Sequence, residues 1–146
     1  MIESYRVAAA AGLECWPAAR VVRLKSPSGA TLTMVWDGAA YDRCFSRPIL
    51  LEMEARAIEA PHIEWHLGRL LLMQLHGAPL GGVIWITRES LVGALVRVIE
   101  RWSAIQLASP MAPGPPPMEV RLLDGTIVRR LGGEGRNAMR RAKWVC

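Results

Sequence analysis

The chain has 146 residues, of which 51% are hydrophobic, and a formal net charge of +5. This length suits one domain with a hydrophobic core, and the apolar surplus predicts a subunit interface, so we expect a homo-oligomer. The three cysteines (Cys15, Cys44 and Cys146) are few and widely spaced, which excludes a disulfide framework and favours free thiols in the cytoplasm.

The first part of the chain is predicted to form a β-hairpin. Residues 1–15 contain the acidic Glu3 and only a short alanine run, a composition that does not predict a signal peptide. Apolar and polar residues alternate over residues 22–25 and again over 31–36, and the sequence SPSG between them supplies turn chemistry. We expect residues 37–46 to form a loop.

Two helices and a buried strand are predicted next. Pro48 suits the first position of a helix that runs to about Ala60. Pro61 then breaks that helix and can start a second one that runs to about Leu75. The glycine-bounded apolar run GGVIWIT, residues 81–87, predicts a short buried strand.

The most apolar window, residues 67–86, has the length of a membrane span. However, Arg69, His76 and Pro79 interrupt it, and charged residues and prolines are unfavourable in the middle of such a span. A helix, a turn and a strand fit the pattern better, so we expect no membrane span.

The C-terminal part is predicted to contain one more helix, a connector and a second hairpin. Apolar residues recur at helical spacing over residues 91–105, and Thr87 is a candidate cap for this helix. Five prolines within residues 109–117 predict a stiff, extended connector. An Asp-Gly pair in the middle of residues 119–131 predicts the tight turn of a hairpin.

This order of elements predicts an α+β fold. We expect a mostly antiparallel sheet, built from the two hairpins and a short strand, with about three helices packed on one face. The predicted division is an α+β core over residues 1–108, the Pro-rich connector over 109–117, and the C-terminal hairpin with a basic segment over 118–146. Three tryptophans lie in apolar stretches and are expected to be buried: Trp36, Trp85 and Trp102.

All three histidines lie in the helix that is predicted to end near Leu75. His62, His66 and His76 share one narrow stripe of that helix with Arg69, while most of the remaining circumference is apolar. This pattern favours the solvent-facing edge of a buried helix. The alternative is a metal site, because histidines four residues apart, such as His62 and His66, can bind one zinc ion. His76 lies about 15 Å further along the helix and cannot join them.

Other catalytic patterns are incomplete. Asp37 and Asp42 flank the predicted loop and form at most a carboxylate pair. Because no nucleophile has a base at a suitable spacing, we expect no catalytic residue and no cofactor. A metal-dependent or acid–base enzyme that uses the face of His62 and His66 is the alternative.

The net charge is concentrated at the C-terminal end. Residues 119–146 contain seven of the 18 lysines and arginines but only three of the 13 acidic residues. Three glycines there can let backbone N–H groups converge on an anion: Gly132, Gly133 and Gly135. Six basic residues could contact phosphates: Arg129, Arg130, Arg136, Arg140, Arg141 and Lys143. Trp144 could stack on a nucleic-acid base.

We therefore predict a non-catalytic binding or accessory protein whose basic C-terminal segment engages RNA, DNA or another polyanion. Two other interpretations of this segment remain open: docking against Glu52, Glu54 and Glu59 of the same or a neighbouring subunit, and a solubilising tail. For the whole protein, the alternatives are a structural or protein-interaction subunit of a homo-oligomer and the metal-dependent enzyme.

Overall fold

The computed structural model has an α+β fold, as the order of predicted elements indicates. The described part of the chain contains a six-stranded mixed sheet, a separate two-stranded sheet and two α-helices. The residues that the structure describes are 14–15, 21–25, 29, 31–42, 47–77 and 80–132.

The first predicted hairpin is confirmed, but it lies outside the main sheet. Strand β2 (Val21–Lys25) pairs with β3 (Thr31–Val35) in antiparallel register, with Val22 opposite Met34. These two strands form a sheet of their own. Trp36 and Asp37 connect this hairpin to the main sheet. Residues 37–46 are predicted as a loop, but residues 38–42 form a strand of that sheet.

The main sheet has six strands in the described residues: β1 (Glu14–Cys15), β4 (Gly38–Asp42), β5 (Arg47–Glu54), β6 (Gly82–Thr87), β7 (Met118–Leu122) and β8 (Ile127–Leu131). Their order in the sheet is β1-β4-β5-β6-β7-β8. The three central strands, β5, β6 and β7, are parallel, and the outer strands are antiparallel to their neighbours. The prediction of a mostly antiparallel sheet is therefore wrong at the centre, because helical crossovers join the central strands and keep them parallel.

Strand β5 occupies most of the segment predicted to form a helix from Pro48 to about Ala60, and that prediction is wrong. Ile49, Leu50 and Leu51 are all fully buried, because β5 lies in the sheet between β4 and β6. A central strand is buried on both faces, so the apolar residues of β5 form a continuous run instead of alternating with polar residues. Tertiary burial here outweighs the helix propensity of leucine and glutamate.

The two α-helices, α1 (Ala60–Leu75) and α2 (Val92–Ala108), match the second and third predicted helices. The described residues thus contain two α-helices rather than about three, because the first predicted helix is strand β5. Thr87 does not cap α2; it ends β6, and its Oγ1 donates a hydrogen bond to the carbonyl oxygen of Glu54 at 2.6 Å. This bond ties together the carboxyl ends of two parallel strands.

The second hairpin is confirmed and belongs to the main sheet. β7 pairs with β8 in antiparallel register, with Met118 opposite Leu131, and β7 also pairs in parallel with β6. The Pro-rich segment before it is buried over residues 114–117. Gly132 after it has a φ of +71°, and a Cβ atom there would collide with the carbonyl oxygen of Pro116. Position 132 therefore requires a glycine, because the backbone passes too close to Pro116 after β8 ends to leave room for a side chain.

The core lies between the two helices and one face of the sheet. Trp36 and Trp85 are buried in it, as predicted, while Trp102 is only partly buried and packs against it. Neither of the two helices in the described part of the chain is long and apolar enough to cross a membrane.

Candidate metal centre

Strand β5 ends with two glutamates that share one face. Because strand side chains alternate, Glu52 and Glu54 continue the row of Leu50, which belongs to the core under the helices. Glu52 lies opposite the buried Trp85 of β6 in the sheet register. The row therefore changes from apolar to acidic at the carboxyl end of a parallel strand, where ligand sites in such sheets are commonly found.

Helix α1 places two imidazoles over this acidic row. His62 and His66 are four residues apart, so their side chains lie on the same face of the helix. The Nε2 atoms of both approach one carboxylate oxygen, Glu52 Oε1, at 3.4 Å for His62 and 3.1 Å for His66. His62 Nε2 also lies 3.2 Å from Glu54 Oε1. One carboxylate and two imidazoles thus meet at a single point.

The cluster is closed on the side of the core and open on the side of His62. Glu52 is 4% exposed and His66 is 3% exposed, whereas the side chain of His62 is 46% exposed. A buried charge is stable only when it is paired or coordinated, so Glu52 depends on the two imidazoles or on a cation held by them. Solvent and small ligands can approach from the side of His62.

Tryptophan rings surround His66. Its ring centroid lies 4.5 Å from that of Trp36, 5.2 Å from that of Trp65 and 6.4 Å from that of Trp85. Within the described part of the chain, the Nδ1 atom of His66 has no hydrogen-bond partner. His66 is therefore held by ring packing on three sides and makes its polar contact through Nε2, toward Glu52.

Asp37, between β3 and β4, closes the other side of the cluster. Its Oδ2 accepts a hydrogen bond of 2.8 Å from the backbone N–H of Met53, and its own backbone N–H donates to Glu52 Oε2 at 3.4 Å. These bonds lock Asp37 beside β5. Three carboxylates, those of Asp37, Glu52 and Glu54, therefore lie next to the two imidazoles.

Crowding of these carboxylates changes their acidity. Burial, together with the neighbouring charge of Glu52, raises the pKa of Glu54 to about 7. Burial also raises the pKa of Asp37, although the hydrogen bond from Met53 opposes the shift and the charge of Glu52 adds to it. A bound cation would relieve this repulsion, because opposite charge stabilises the ionised carboxylates.

An open cleft gives access to the cluster. A cavity of about 310 Å³ is lined by Glu52, His62 and His66 together with Trp36 and Trp65. It adjoins a second cavity of about 420 Å³, which includes Arg56 in its lining. The two cavities share Asp37, Met53, Glu54 and His62. The cleft is therefore continuous across the mouth of the cluster.

The donor set suits a metal ion. Glu52, His62 and His66 each offer one ligand atom, and all three atoms lie within 4.8 Å of one another. Zinc with bonds of about 2.0–2.1 Å in tetrahedral geometry places its ligand atoms about 3.3 Å apart. The distances of 3.1 and 3.4 Å from the imidazoles to Glu52 Oε1 match that spacing.

The histidine stripe was assigned correctly to one helix face but wrongly to solvent at His66, which is buried. The packing of α1 on β5 buries His66, because it directs the first two turns of the histidine stripe toward Glu52. His76 follows the last turn of α1, is exposed and takes no part in the cluster. Asp42 is also apart from it, because Asp37 precedes β4 and Asp42 ends that strand.

Only part of the predicted anion-binding segment lies within the described residues. Arg129 and Arg130 are exposed on β8, the last strand of the sheet, and Arg129 pairs with Glu100 at 2.7 Å. Gly132 is buried against Pro116. The other predicted residues lie outside the described part of the chain: Gly133, Gly135, Arg136, Arg140, Arg141, Lys143 and Trp144.

Glu52 and Glu54 are not among the site residues predicted from the sequence, because both fall in a predicted helix. The apolar run over residues 49–51 before them fits a buried strand as well as a helix, so the sequence carries only an ambiguous signal. Trp65 is not among the predicted site residues, because it lies outside the stripe of histidines and its place at the cleft depends on Trp36 and Glu52 from other elements.

A fold by itself does not identify a function, because one architecture supports many unrelated activities. In this chain the informative feature is the set of side chains at the carboxyl end of β5. Comparison with protein-family models, with curated proteins and with solved structures found no match for this chain.

Proposed function

We propose that Glu52, His62 and His66 bind one divalent metal ion and that the protein uses this ion to activate water for a hydrolytic reaction. The observation that carries the proposal is the convergence of three ligand atoms within 4.8 Å of one another. Two imidazoles and one carboxylate form the ligand set of several catalytic zinc sites.

Zinc fits this set better than calcium or magnesium. Imidazole nitrogen is a good ligand for zinc and similar transition metals, whereas calcium and magnesium prefer oxygen ligands. Two of the three ligands in the cluster are imidazoles. The rigid surroundings of His66, which is packed among tryptophan rings, favour a fixed geometry with few ligands.

Three protein ligands leave a fourth position for water, and this is what distinguishes a catalytic from a structural zinc site. Zinc lowers the pKa of bound water to about 7 and so supplies a nucleophile near neutral pH. The cleft opens on the side of His62, which is exposed while Glu52 and His66 are buried, so water would reach a bound ion from that side. Asp37 and Glu54 line the same cleft and would be available to accept a proton.

The metal site is tested by measuring zinc binding to the full chain by calorimetry and the zinc content by mass spectrometry. We expect one zinc ion per chain in the wild type. Loss of a residue that merely supports a ligand already weakens metal binding about 10- to 100-fold, so Glu52→Gln should weaken it by at least about 100-fold. Glu52→Gln keeps the size of the side chain but removes its charge.

Glu64→Gln is the matched control, since it makes the same chemical change on α1. Glu64 pairs with Arg101 at 2.8 Å on the surface, away from the cluster. This variant should bind zinc as the wild type does. Wild-type protein that binds no zinc, or Glu52→Gln protein that binds it unchanged, would contradict the proposal.

A second candidate function is the binding of RNA, DNA or another polyanion by the basic C-terminal segment. It is supported by the charge distribution, since residues 119–146 contain seven lysines and arginines against three acidic residues. Phosphate contacts by such residues dominate non-specific nucleic-acid affinity. This function is compatible with the metal centre, because a hydrolase that acts on a polyanion needs both features.

Fluorescence anisotropy with single-stranded RNA and duplex DNA tests this second function. We expect the full chain to bind and Arg140→Ala/Arg141→Ala to reduce the slope of log affinity against log salt by about 1.5–2, because two phosphate contacts are lost. Arg88→Ala/Arg97→Ala removes the same charge from exposed positions and is the control. Equal effects of the two double variants, or no binding at all, would rule out a specific role for the segment.

We also propose that the protein acts as a homo-oligomer in the cytoplasm. Its support is the apolar surface, since five large apolar side chains near the C-terminal ends of the helices are exposed. They are Leu72, Leu75, Ile105, Leu107 and Met111. The isolated cysteines, which favour a reducing compartment, support the location.

A further inference from the structure

One tryptophan of α1, Trp65, is half exposed although it borders the metal centre. It is 48% exposed, and it lines the same cleft as Glu52 and His62. Its ring meets the ring of His66 edge to face, with the centroids 5.2 Å apart. Tryptophan combines a large apolar ring with a polar N–H group and is enriched at binding surfaces. Trp65 therefore presents a flat apolar surface at the mouth of the site.

Arg69 holds this indole in position. It follows Trp65 by one helical turn, and its Cζ atom lies 4.9 Å from the ring centroid. A guanidinium at this distance is attracted to the face of the ring, so it fixes the indole and adds positive charge beside it. Proteins that bind single-stranded nucleic acids combine these two elements, an aromatic ring on which a base stacks and a cation that attracts phosphate.

A second arginine marks the other end of the cleft. The cavity that contains Arg56 shares Asp37, Glu54 and His62 with the cavity that contains Trp65. The metal ligands therefore lie between an indole braced by Arg69 on one side and Arg56 on the other. This order suits a ligand that has a planar ring at one end and an anionic group at the ion.

We propose that Trp65 and Arg69 form a base-binding subsite and that the ligand of the metal centre is a nucleoside phosphate. The base stacks on Trp65, and the phosphate reaches the ion held by the cluster. The subsite rests on the proposed metal-dependent function. Two ligands carry the required base and phosphate: a free nucleotide and the end of a single-stranded nucleic acid.

Calorimetric titration of the zinc-loaded full chain with AMP, ribose 5-phosphate and adenosine tests the subsite. Ribose 5-phosphate has the phosphate without the base, and adenosine has the base without the phosphate. Stacking of one base on an aromatic side chain is worth about 5- to 150-fold in affinity. We expect AMP to bind more tightly than ribose 5-phosphate by a factor in this range.

Substitutions at Trp65 assign this preference to the indole. Trp65→Leu should make AMP and ribose 5-phosphate bind equally while leaving ribose 5-phosphate affinity unchanged, and Trp65→Phe should retain most of the preference because it keeps a ring. Leu123→Ala, at an exposed position between β7 and β8 and outside the cleft, is the control and should leave the preference intact. Thermal melting confirms that each variant is folded.

Equal binding of AMP and ribose 5-phosphate to wild-type protein that holds zinc would overturn the subsite and leave the metal centre standing. Protein that binds no zinc would overturn the metal centre. In that case adenosine binding tests the subsite, because adenosine has no phosphate and needs no ion. Adenosine binding by the wild type that is lost in Trp65→Leu would support the subsite. Absence of adenosine binding by the wild type, or equal binding by both proteins, would reject it. A 5′-phosphorylated tetra-adenylate distinguishes the sources, since tighter binding than AMP indicates a strand end and equal binding indicates a free nucleotide.

Discussion

Saturating zinc is expected to raise the melting temperature of the full chain by about 5–10 °C, and His66→Ala should abolish this rise. A ligand that binds only the folded state at 100 times its dissociation constant stabilises that state by about 2.7 kcal/mol. In a domain of this size, each kcal/mol shifts the melting temperature by about 2–4 °C. The measurement is calorimetric melting of each variant with zinc and with a chelator, so that any destabilisation by the substitution itself cancels.

His76→Ala is the matched control for this prediction. It makes the same substitution next to the same helix, at an exposed residue outside the cluster. It should keep the full response to zinc. A response that survives His66→Ala, or one that is lost in both variants, would show that the zinc binds elsewhere on the chain.

Trp85→Ala is expected to reduce the free energy of unfolding by about 3–5 kcal/mol, as large aromatic-to-alanine substitutions in cores do. Trp85 is fully buried at the centre of the sheet face that meets the helices. Its ring packs against that of Trp36 at a centroid distance of 6.2 Å, and its Nε1 donates to Met118 Sδ at 3.5 Å. The loss follows because the surrounding strands cannot move in to fill the cavity.

Urea unfolding measures this effect, and Leu123→Ala is the comparison. Leu123 is exposed between β7 and β8, and substitutions at such positions usually change stability by less than about 0.5 kcal/mol. Because Trp85 also packs beside His66, Trp85→Ala should weaken zinc binding as well. Equal losses of stability in the two variants would show that the sheet face around Trp85 is not the core.

Elements with a clear local pattern were predicted from the sequence. Helix α2 has apolar residues at helical spacing, and helix α1 has a proline in its first turn and a glycine two residues after its end. Both hairpins carry turn residues between their strands, and two glycines mark the start of the run that forms β6. These signals act over a few residues, so tertiary structure had only to place the elements.

Strand β5 could not be predicted from local pattern. Pro48 at its start and Glu52 and Glu54 at its end are equally compatible with a helix. Its conformation depends on β4 and β6, which lie on either side and bury Ile49, Leu50 and Leu51. Those neighbours are distant in sequence, so no window centred on β5 contains the information.

The sequence by itself determined which groups share a helix face, and hence that His62 and His66 can meet one ligand, because helical spacing is local. It also determined the basic character of the last 28 residues, which is independent of folding. Only the tertiary structure decided that this helix face is buried against Glu52 and flanked by Asp37, Glu54 and Trp65. The reason is that a metal centre needs donors from separate elements, and their meeting depends on sheet register and helix packing rather than on spacing along the chain.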